Sequence, residues 1–302
     1  MNPLLVITPD DGGHIKNPST AFVYDVFTRE LILDVPKTEQ LVDQEDRCIG
    51  RLPFRPFGLA LKDSTLFIVS NGIVGLFDST SFEFKGTLDI PLFVNTHQLL
   101  VSDNILYTTN TSNDTIGIHN LIDKSSKFLS VRDFQLRLNS HTPWSAYSHD
   151  LFHVNSLFEY KNRIYFCLHN RGYSPSKFYC FDKQTFEVSF VCEAGSSSHG
   201  IVIVDDVLYS LSSGTGEVIV YNMTNKILRM IPFVDPNKTF LRGISLFEQK
   251  LMIGCSNNHK TSKILFKNNC YISLMDLLSF TFDRYMQMDD LSIITDMLLI
   301  ER

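Results

Sequence analysis

A unit of about 50 residues repeats six times along this 302-residue chain, and this repeat constrains the fold more than any other feature of the sequence. Each unit has the order strand, loop, strand, turn, strand, as in LYTTNTSNDTIGIHNLIDKSSKFLSV. The middle one of these three strands, which is the third strand of a complete four-stranded unit, carries an apolar or aromatic residue or a His followed by an Asp or Asn, namely Asp25, Asp78, Asn120, Asp182, Asn222 or Asp276. A period of about 50 residues is typical of β-propellers rather than of helical solenoids.

Five of the units have a further strand ahead of these three, as in HGIVIVDDVLY, whereas the N-terminal unit has none. The C-terminal segment LSIITDMLLI can supply the missing strand, which would join the two ends and remove the exposed sheet edges of an open ring. We therefore predict an all-β fold, a six-bladed β-propeller of four-stranded antiparallel blades closed by the C-terminal strand. It forms a single domain over residues 1–302, with a loop insertion at about 129–152.

Phrases such as RPFGLALKDSTLFIVSN, together with the period, give a resemblance over the whole chain to a broad group of six-bladed propellers. This group includes the strictosidine synthase-like and gluconolactonase-like proteins. Those families commonly hold calcium or another divalent ion on the ring axis through carboxylate and Asn ligands. The matching positions of this chain mostly hold other residues, so the resemblance implies the fold and neither calcium binding nor lactonase activity.

The first strand of each propeller blade lines the central channel, and its N-terminal end emerges at one mouth of that channel. When the blades are aligned on their second strands, five residues fall at equivalent positions, namely Phe57, His97, Asn155, His199 and Arg242. His153 lies two residues before Asn155. The other histidines, including His169 in a loop between a second and a third strand, are expected on the same face, except for His119, which lies on a third strand. We expect the five equivalent residues and His153 to meet at the axial mouth.

Imidazoles that converge from three blades suit a transition metal better than calcium. The sequence predicts His97, His153 and His199 as ligands of a divalent ion, zinc or iron, with Asn155 as a possible oxygen ligand. A metal-free polar pocket and purely structural histidines remain the alternatives. Arg242 is either a clamp for a carboxylate or phosphate group or an arginine that is solvated or stacked on a ring.

The connection LNSHTPWSAYSHDLFHVNSL is too long for an ordinary link between blades, and long loops in compact domains are often functional. It contains the single tryptophan of the chain, so Trp144 is predicted to line a substrate pocket with Asn155 and Arg171. Asp150 could orient His149, as carboxylates orient many functional histidines. We expect His149 or Tyr147 to transfer a proton and Arg242 to fix an anionic group of the substrate.

Two functional classes follow from these residues. The first is a metal-dependent enzyme that acts on a small anionic substrate, with hydrolase, lyase, isomerase and oxygenase chemistry all open. The second is a non-catalytic platform for protein or ligand binding. The fold alone does not decide between them.

Composition narrows the partners and the location. The formal net charge of −6 is scattered along the chain, which argues against nucleic acid or an anionic membrane as a partner. The six cysteines form no CxxC pair and are expected to be buried free thiols. The sequence shows neither a signal peptide nor a run of 18 apolar residues, so we expect a cytoplasmic location.

Overall fold

A computed structural model of the chain describes residues 2–9, 21–35, 56–70, 72–91, 95–131, 150–233, 240–256, 270–288, 291 and 293–301. The strands in this part of the chain form six sheets, each of four antiparallel strands. The predicted fold class, a six-bladed β-propeller, is confirmed.

The blades are numbered from the one that contains the N-terminus. Blade 1 consists of β1 (Leu4–Pro9), β2 (Ala21–Asp25), β3 (Leu31–Val35) and, as its innermost strand, β24 (Ile294–Ile300). Blade 2 consists of β4 (Pro56–Lys62), β5 (Thr65–Ser70), β6 (Ile73–Asp78) and β7 (Phe84–Leu88). Blade 3 consists of β8 (Thr96–Ser102), β9 (Ile105–Asn110), β10 (Thr115–Asn120) and β11 (Ser126–Ser130).

Blade 4 consists of β12 (Val154–Tyr160), β13 (Arg163–Leu168), β14 (Lys177–Asp182) and β15 (Val188–Glu193). Blade 5 consists of β16 (Ser198–Val204), β17 (Val207–Ser212), β18 (Glu217–Asn222) and β19 (Ile227–Pro232). Blade 6 consists of β20 (Phe240–Phe247), β21 (Lys250–Ser256), β22 (Cys270–Asp276) and β23 (Phe282–Met288). Two short 3-10 turns cover Thr111–Asn113 and Asn170–Gly172. In the part of the chain that the structure describes, no helix has the length and apolar character needed to cross a membrane.

The C-terminal strand closes the ring as predicted. β24 pairs antiparallel with β1, so that Leu4 lies opposite Ile300 and Ile7 lies opposite Met297. β24 also packs between β20 of blade 6 and β4 of blade 2. The last strand of the chain therefore completes the first blade and covers its inner edge.

The Asp or Asn that recurs in each unit is a turn residue. Asp182 ends β14, and its Oδ1 accepts hydrogen bonds from the backbone N–H groups of Gln184 at 2.8 Å and Thr185 at 2.9 Å. This pair of bonds is repeated at the end of the third strand in every blade, by Asp25, Asp78, Asn120, Asp182, Asn222 and Asp276. The repeat in the sequence therefore marks the outer hairpin of each blade.

The hydrophobic core lies between neighbouring blades. One cluster joins Tyr107 and Ile116 of blade 3 to Phe166 and Phe181 of blade 4, and all four side chains are buried. Five cysteines also lie in this interior as free, buried thiols, namely Cys167, Cys180, Cys192, Cys255 and Cys270. The prediction of buried free thiols is confirmed for these five, while Cys48 lies outside the described residues.

Each innermost strand has a register shift near the same end. In blade 2, Pro56 lies opposite Ser70 and Gly58 lies opposite Val69, so Phe57 is left out of the pairing. The other five innermost strands have a corresponding shift. In blade 5 the shift includes Gly200 at φ 69°, where an added Cβ would lie 2.5 Å from Cγ2 of Ile244 in blade 6. A bulge re-aims the side chains beside it, here towards the axis.

Candidate functional site

The register shifts of the six innermost strands surround one small pocket on the propeller axis. Its volume is about 20 Å³, which gives room for roughly one water molecule or one small chemical group. We call this the axial pocket, and it is lined by Phe57, His97, Gln98, Asn155, His199, Gly200, Arg242, Gly243, Thr295 and Asp296. The structure thus brings together all five residues that the alignment of blades placed at equivalent positions.

Six aromatic and imidazole rings follow one another around the mouth of this pocket. We call them the aromatic collar: Phe57, His97, His153, His169, His199 and Phe240. Successive ring centroids lie 4.8, 5.0, 4.6, 4.8 and 6.0 Å apart in that order. His97, His153 and His199 therefore do share one mouth. The ring of His169, which sequence reasoning placed on this face but not among the ligands, lies between those of His153 and His199.

Arg242 is oriented by a chain of hydrogen bonds. Its Nη2 donates to Nε2 of His199 at 2.8 Å, so the proton of the neutral imidazole lies on Nδ1, which donates to Oγ of Ser213 at 2.8 Å. Ser213 donates in turn to the carbonyl oxygen of Leu241 at 2.5 Å. The guanidinium also stacks over the ring of Phe240, 5.2 Å from its centroid. These contacts hold a cation with a defined orientation at the pocket.

The histidines beside Arg242 are uncharged at neutral pH. Burial lowers the pKa of His199 well below its ordinary value, and the positive charge of Arg242 lowers it further. Burial also lowers the pKa of His97 well below its ordinary value, with additional contributions from His153 and Arg242. Their imidazoles therefore add hydrogen-bonding edges to the pocket without adding positive charge.

Asp296 is a pocket residue that the sequence analysis missed. Its carboxyl group is buried, and its two oxygens accept hydrogen bonds from the backbone N–H groups of Leu59 at 3.0 Å and Met297 at 2.9 Å. Burial raises its pKa to about 7, although the two backbone bonds, Gln98 and Arg242 all act in the opposite direction. A signal was present, because aligning the C-terminal strand with the other innermost strands would have placed Thr295 and Asp296 at the mouth.

Asn155 and its neighbours tie adjacent blades together around the pocket. The Asn155 side chain donates to the carbonyl oxygen of Ser198 at 2.9 Å and accepts from Oγ of Ser156 at 2.8 Å. Ser156 accepts in turn from the N–H of Gly200 at 2.8 Å. Gln98 accepts the N–H of Leu157 at 2.8 Å, which links blade 3 to blade 4. Asn155 lines the pocket as predicted, and its amide also bridges two innermost strands.

The rim beside blade 4 is organised by two carboxylates. The Asp150 carboxylate accepts a hydrogen bond from Nδ1 of His153 at 2.9 Å, so the histidine it orients within the described residues is His153. The predicted partner, His149, lies outside those residues. The buried Asp114 carboxylate accepts three backbone N–H groups, from Leu151 at 2.8 Å and from Phe152 and His153 at 2.9 Å each. These bonds hold His153 in its place at φ 55°.

Arg171 lies on the rim and does not line the axial pocket. It is half exposed, its Nε lies 3.9 Å from the Asp150 carboxylate, and its backbone N–H donates to Nδ1 of His169 at 3.0 Å. Its predicted contact with a substrate stays a prediction. Trp144 and Tyr147 were predicted at the same mouth, and both lie outside the described residues.

The described residues contain no cluster that matches the metal site predicted from the sequence. Among the residues that the structure describes, no group of three or more His, Cys, Asp or Glu side chains is arranged to hold a metal ion. The hydrogen bonds of His199 give a physical reason, because its Nε2 lone pair accepts from Arg242 and its Nδ1 bonds to Ser213. Ligation by His199 would require Arg242 to move. The three-histidine site therefore stays a prediction.

Comparisons with known proteins give the fold of the chain. No protein-family model matches the sequence, and no curated protein sequence matches it. A computationally designed protein, Ika8, aligns with a TM-score of 0.49 and 11% identity over 92% of this chain and 71% of its own. A chain from the crystal structure of a nidogen/laminin complex aligns with a TM-score of 0.64 and 11% identity, over 99% of this chain and 98% of its own. The chain is thus similar to this propeller in fold.

Proposed function

We propose that this propeller binds a small anionic ligand at its axial pocket, and that Arg242 is the group that holds the anion. The observation that carries the proposal is the chain of hydrogen bonds from Arg242 through His199 and Ser213 to Leu241, which fixes a guanidinium beside the pocket. A guanidinium binds carboxylate and phosphate groups through parallel N–H donors, and a fixed orientation lowers the entropic cost of forming those bonds.

The electrostatics of the pocket support an anion. His97 and His199 remain neutral, so they can hydrogen-bond a ligand without being desolvated as cations. Asp296 opposes anion binding when it is ionised, but its pKa of about 7 leaves much of it neutral at neutral pH. An incoming anion favours the protonated form of Asp296 further.

The metal-dependent enzyme is the second candidate, and one observation favours it. The rings of His97 and His153 lie 5.0 Å apart at the same mouth, and the Nδ1 of His153 is oriented by the Asp150 carboxylate as in many metal-binding histidines. In this alternative, zinc or iron would replace the Arg242 contact at His199. Removing Arg242 would therefore strengthen metal binding, whereas it would abolish anion binding.

These opposite effects of Arg242 define the experiment. Thermal unfolding of protein prepared without an affinity tag is measured at constant ionic strength with a panel of small carboxylates and phosphate. We expect stabilisation of about 1.4 kcal/mol at ten times the dissociation constant, from the linkage between binding and folding. Arg242→Gln should lose this effect. Arg284→Gln is the matched control. Arg284 lies on the outer strand β23, away from the pocket, and its guanidinium also stacks over an aromatic ring, 4.6 Å from the centroid of Tyr271.

Elemental analysis of the same preparations tests the alternative. The metal site would replace our proposal if the parent protein contains about one zinc or iron per chain and if Arg242→Gln binds that metal more tightly. If no anion stabilises the parent protein more than the Arg242→Gln variant, the anion-binding proposal is wrong. If an anion does bind, a test for its turnover would separate an enzyme from a binding platform, since either can use the same pocket.

A further inference from the structure

The axial pocket carries the charge of one cation. Among the described residues that line it, Arg242 is the one arginine or lysine, and Nε2 of His199 accepts a hydrogen bond from it and so carries no proton. Arg171 lies outside the pocket, with its guanidinium near the Asp150 carboxylate. Asp296 adds a partial negative charge rather than a second positive one. The charge balance therefore suits an anionic group with a single negative charge.

The size and walls of the pocket restrict the shape of that group. A volume of about 20 Å³ admits one small group and leaves the rest of any ligand in the mouth. The rings of Phe57 and His97 are stacked at 4.8 Å with an angle of 15° between their planes, which gives the mouth a flat wall. Phe240 is not part of the pocket lining, but its ring covers one face of the Arg242 guanidinium. A flat wall and a small volume favour a group whose atoms lie in one plane.

The orientation of Arg242 favours the same shape. The N–H donors of a guanidinium lie in one plane and match the two oxygens of a carboxylate, which are also coplanar. A sulfonate or phosphate group fills a tetrahedron, so at least one of its oxygens must point out of the guanidinium plane. The ring of Phe240 lies over one face of the guanidinium, so an oxygen on that side of the plane would be directed towards this ring.

We propose that the axial pocket recognises a planar, singly charged carboxylate and discriminates against tetrahedral anions of the same charge. This inference rests on the proposed function, since it names the class of ligand for the same pocket. The collar rings above the pocket would then contact the remainder of the ligand, which lies in the mouth.

The test compares acetate with methanesulfonate. Both ions carry one negative charge and one methyl group, and they differ in having a planar or a tetrahedral acidic group. Nitrate is added because it is planar but only weakly basic, which separates shape from basicity. Binding is followed in protein labelled with ¹³C-histidine, through the Cε1–H signal of His199 next to Arg242, at constant ionic strength.

We expect acetate and nitrate to bind at least tenfold more tightly than methanesulfonate. Arg242→Gln should lose binding of all three ions, and Arg242→Lys, which keeps the charge but not the planar donors, should lose the discrimination. Arg284→Gln should behave as the parent protein.

Each contrary result has a distinct meaning. Equal or tighter binding of methanesulfonate would overturn the inference about shape and leave anion binding in place. An unchanged preference in Arg242→Lys would show that the guanidinium plane does not select the ligand, which also overturns it. Absence of binding by all three ions to the folded parent protein would overturn the proposed function together with this inference.

Discussion

Replacing Asp114 should release His153 from the aromatic collar. The Asp114 carboxylate accepts the backbone N–H groups of Leu151, Phe152 and His153 at 2.8–2.9 Å, and its side chain is fully buried. A hydrogen bond to a charged group contributes about 1.5–3 kcal/mol. The loss of three such bonds would be the upper limit of the destabilisation. The actual loss is smaller, because water can replace the carboxylate at Leu151, which is exposed. We therefore expect Asp114→Ala to lower the free energy of unfolding by about 3 kcal/mol.

Asp114→Asn refines the same prediction. The amide oxygen can keep the two bonds that Oδ1 makes with Phe152 and His153, whereas the amide nitrogen cannot accept the N–H of Leu151. The expected loss is about 1.5 kcal/mol, because each of the two kept bonds now ends on a neutral oxygen and retains about half of its strength. Asp182→Ala is the control, because Asp182 also accepts two backbone N–H groups but lies on an exposed outer turn. It should destabilise the protein less than either Asp114 variant.

Urea unfolding followed by circular dichroism gives these free energies, and the histidine ¹³C spectrum reports whether the His153 ring leaves its neighbours. A loss below about 1 kcal/mol in Asp114→Ala would refute the reasoning, because it would mean that water satisfies all three N–H groups equally well. An unchanged His153 signal in a destabilised variant would refute the link between Asp114 and the collar.

Three further predictions follow. Deletion of residues 291–302 removes β24, so the protein should unfold or aggregate, as size-exclusion chromatography and thermal melts would show; a soluble, cooperatively melting truncation would contradict ring closure. His119 is buried and its pKa is lowered to about 4 by desolvation, so its contribution to stability should fall by about 3 kcal/mol as the pH drops from 6.5 to 4; the difference in stability between the parent protein and His119→Gln, measured by urea unfolding against pH, should change by this amount, and a constant difference would contradict it. Asp296 has its pKa raised to about 7, so its contribution to stability should fall by about 3 kcal/mol as the pH rises from 4 to 7, and acetate affinity should weaken as the pH rises through 7; an acetate affinity independent of pH would contradict this assignment.

The fold could be predicted because its signals are local. Each Asp or Asn at the end of a third strand caps its own turn, so Asp182 and its five counterparts recur at a fixed place in the unit. The C-terminal strand was predicted from the strand missing in the N-terminal unit, and the pairing of Leu4 with Ile300 confirms it. Neither feature depends on contacts between distant blades.

The site could be predicted only in part, because its residues act through long-range contacts. Alignment of the blades placed Arg242 and His199 at the mouth, but the hydrogen bond between them uses the orientation of both side chains. Asp114 binds the backbone of a segment that begins 37 residues later, and no local sequence pattern predicts such a contact. The Asp150 carboxylate accepts a hydrogen bond from His153, where the backbone has φ 55°; the sequence suggested His149 as its partner, which lies outside the described residues.

The same architecture separates stability from ligand recognition. The buried clusters between blades contain residues of the second and third strands, such as Tyr107, Phe166 and Phe181, together with apolar residues of the innermost strands, such as Leu157. The bulged positions of the innermost strands are excluded from the ladder pairing, so their side chains are not required to fill the core. Arg242 and Phe57 occupy equivalent places with unrelated chemistry, which a core position would not allow. Because the bulges direct side chains such as Arg242 and Phe57 to the axis, the pocket can change its ligand preference while the blades keep their cores.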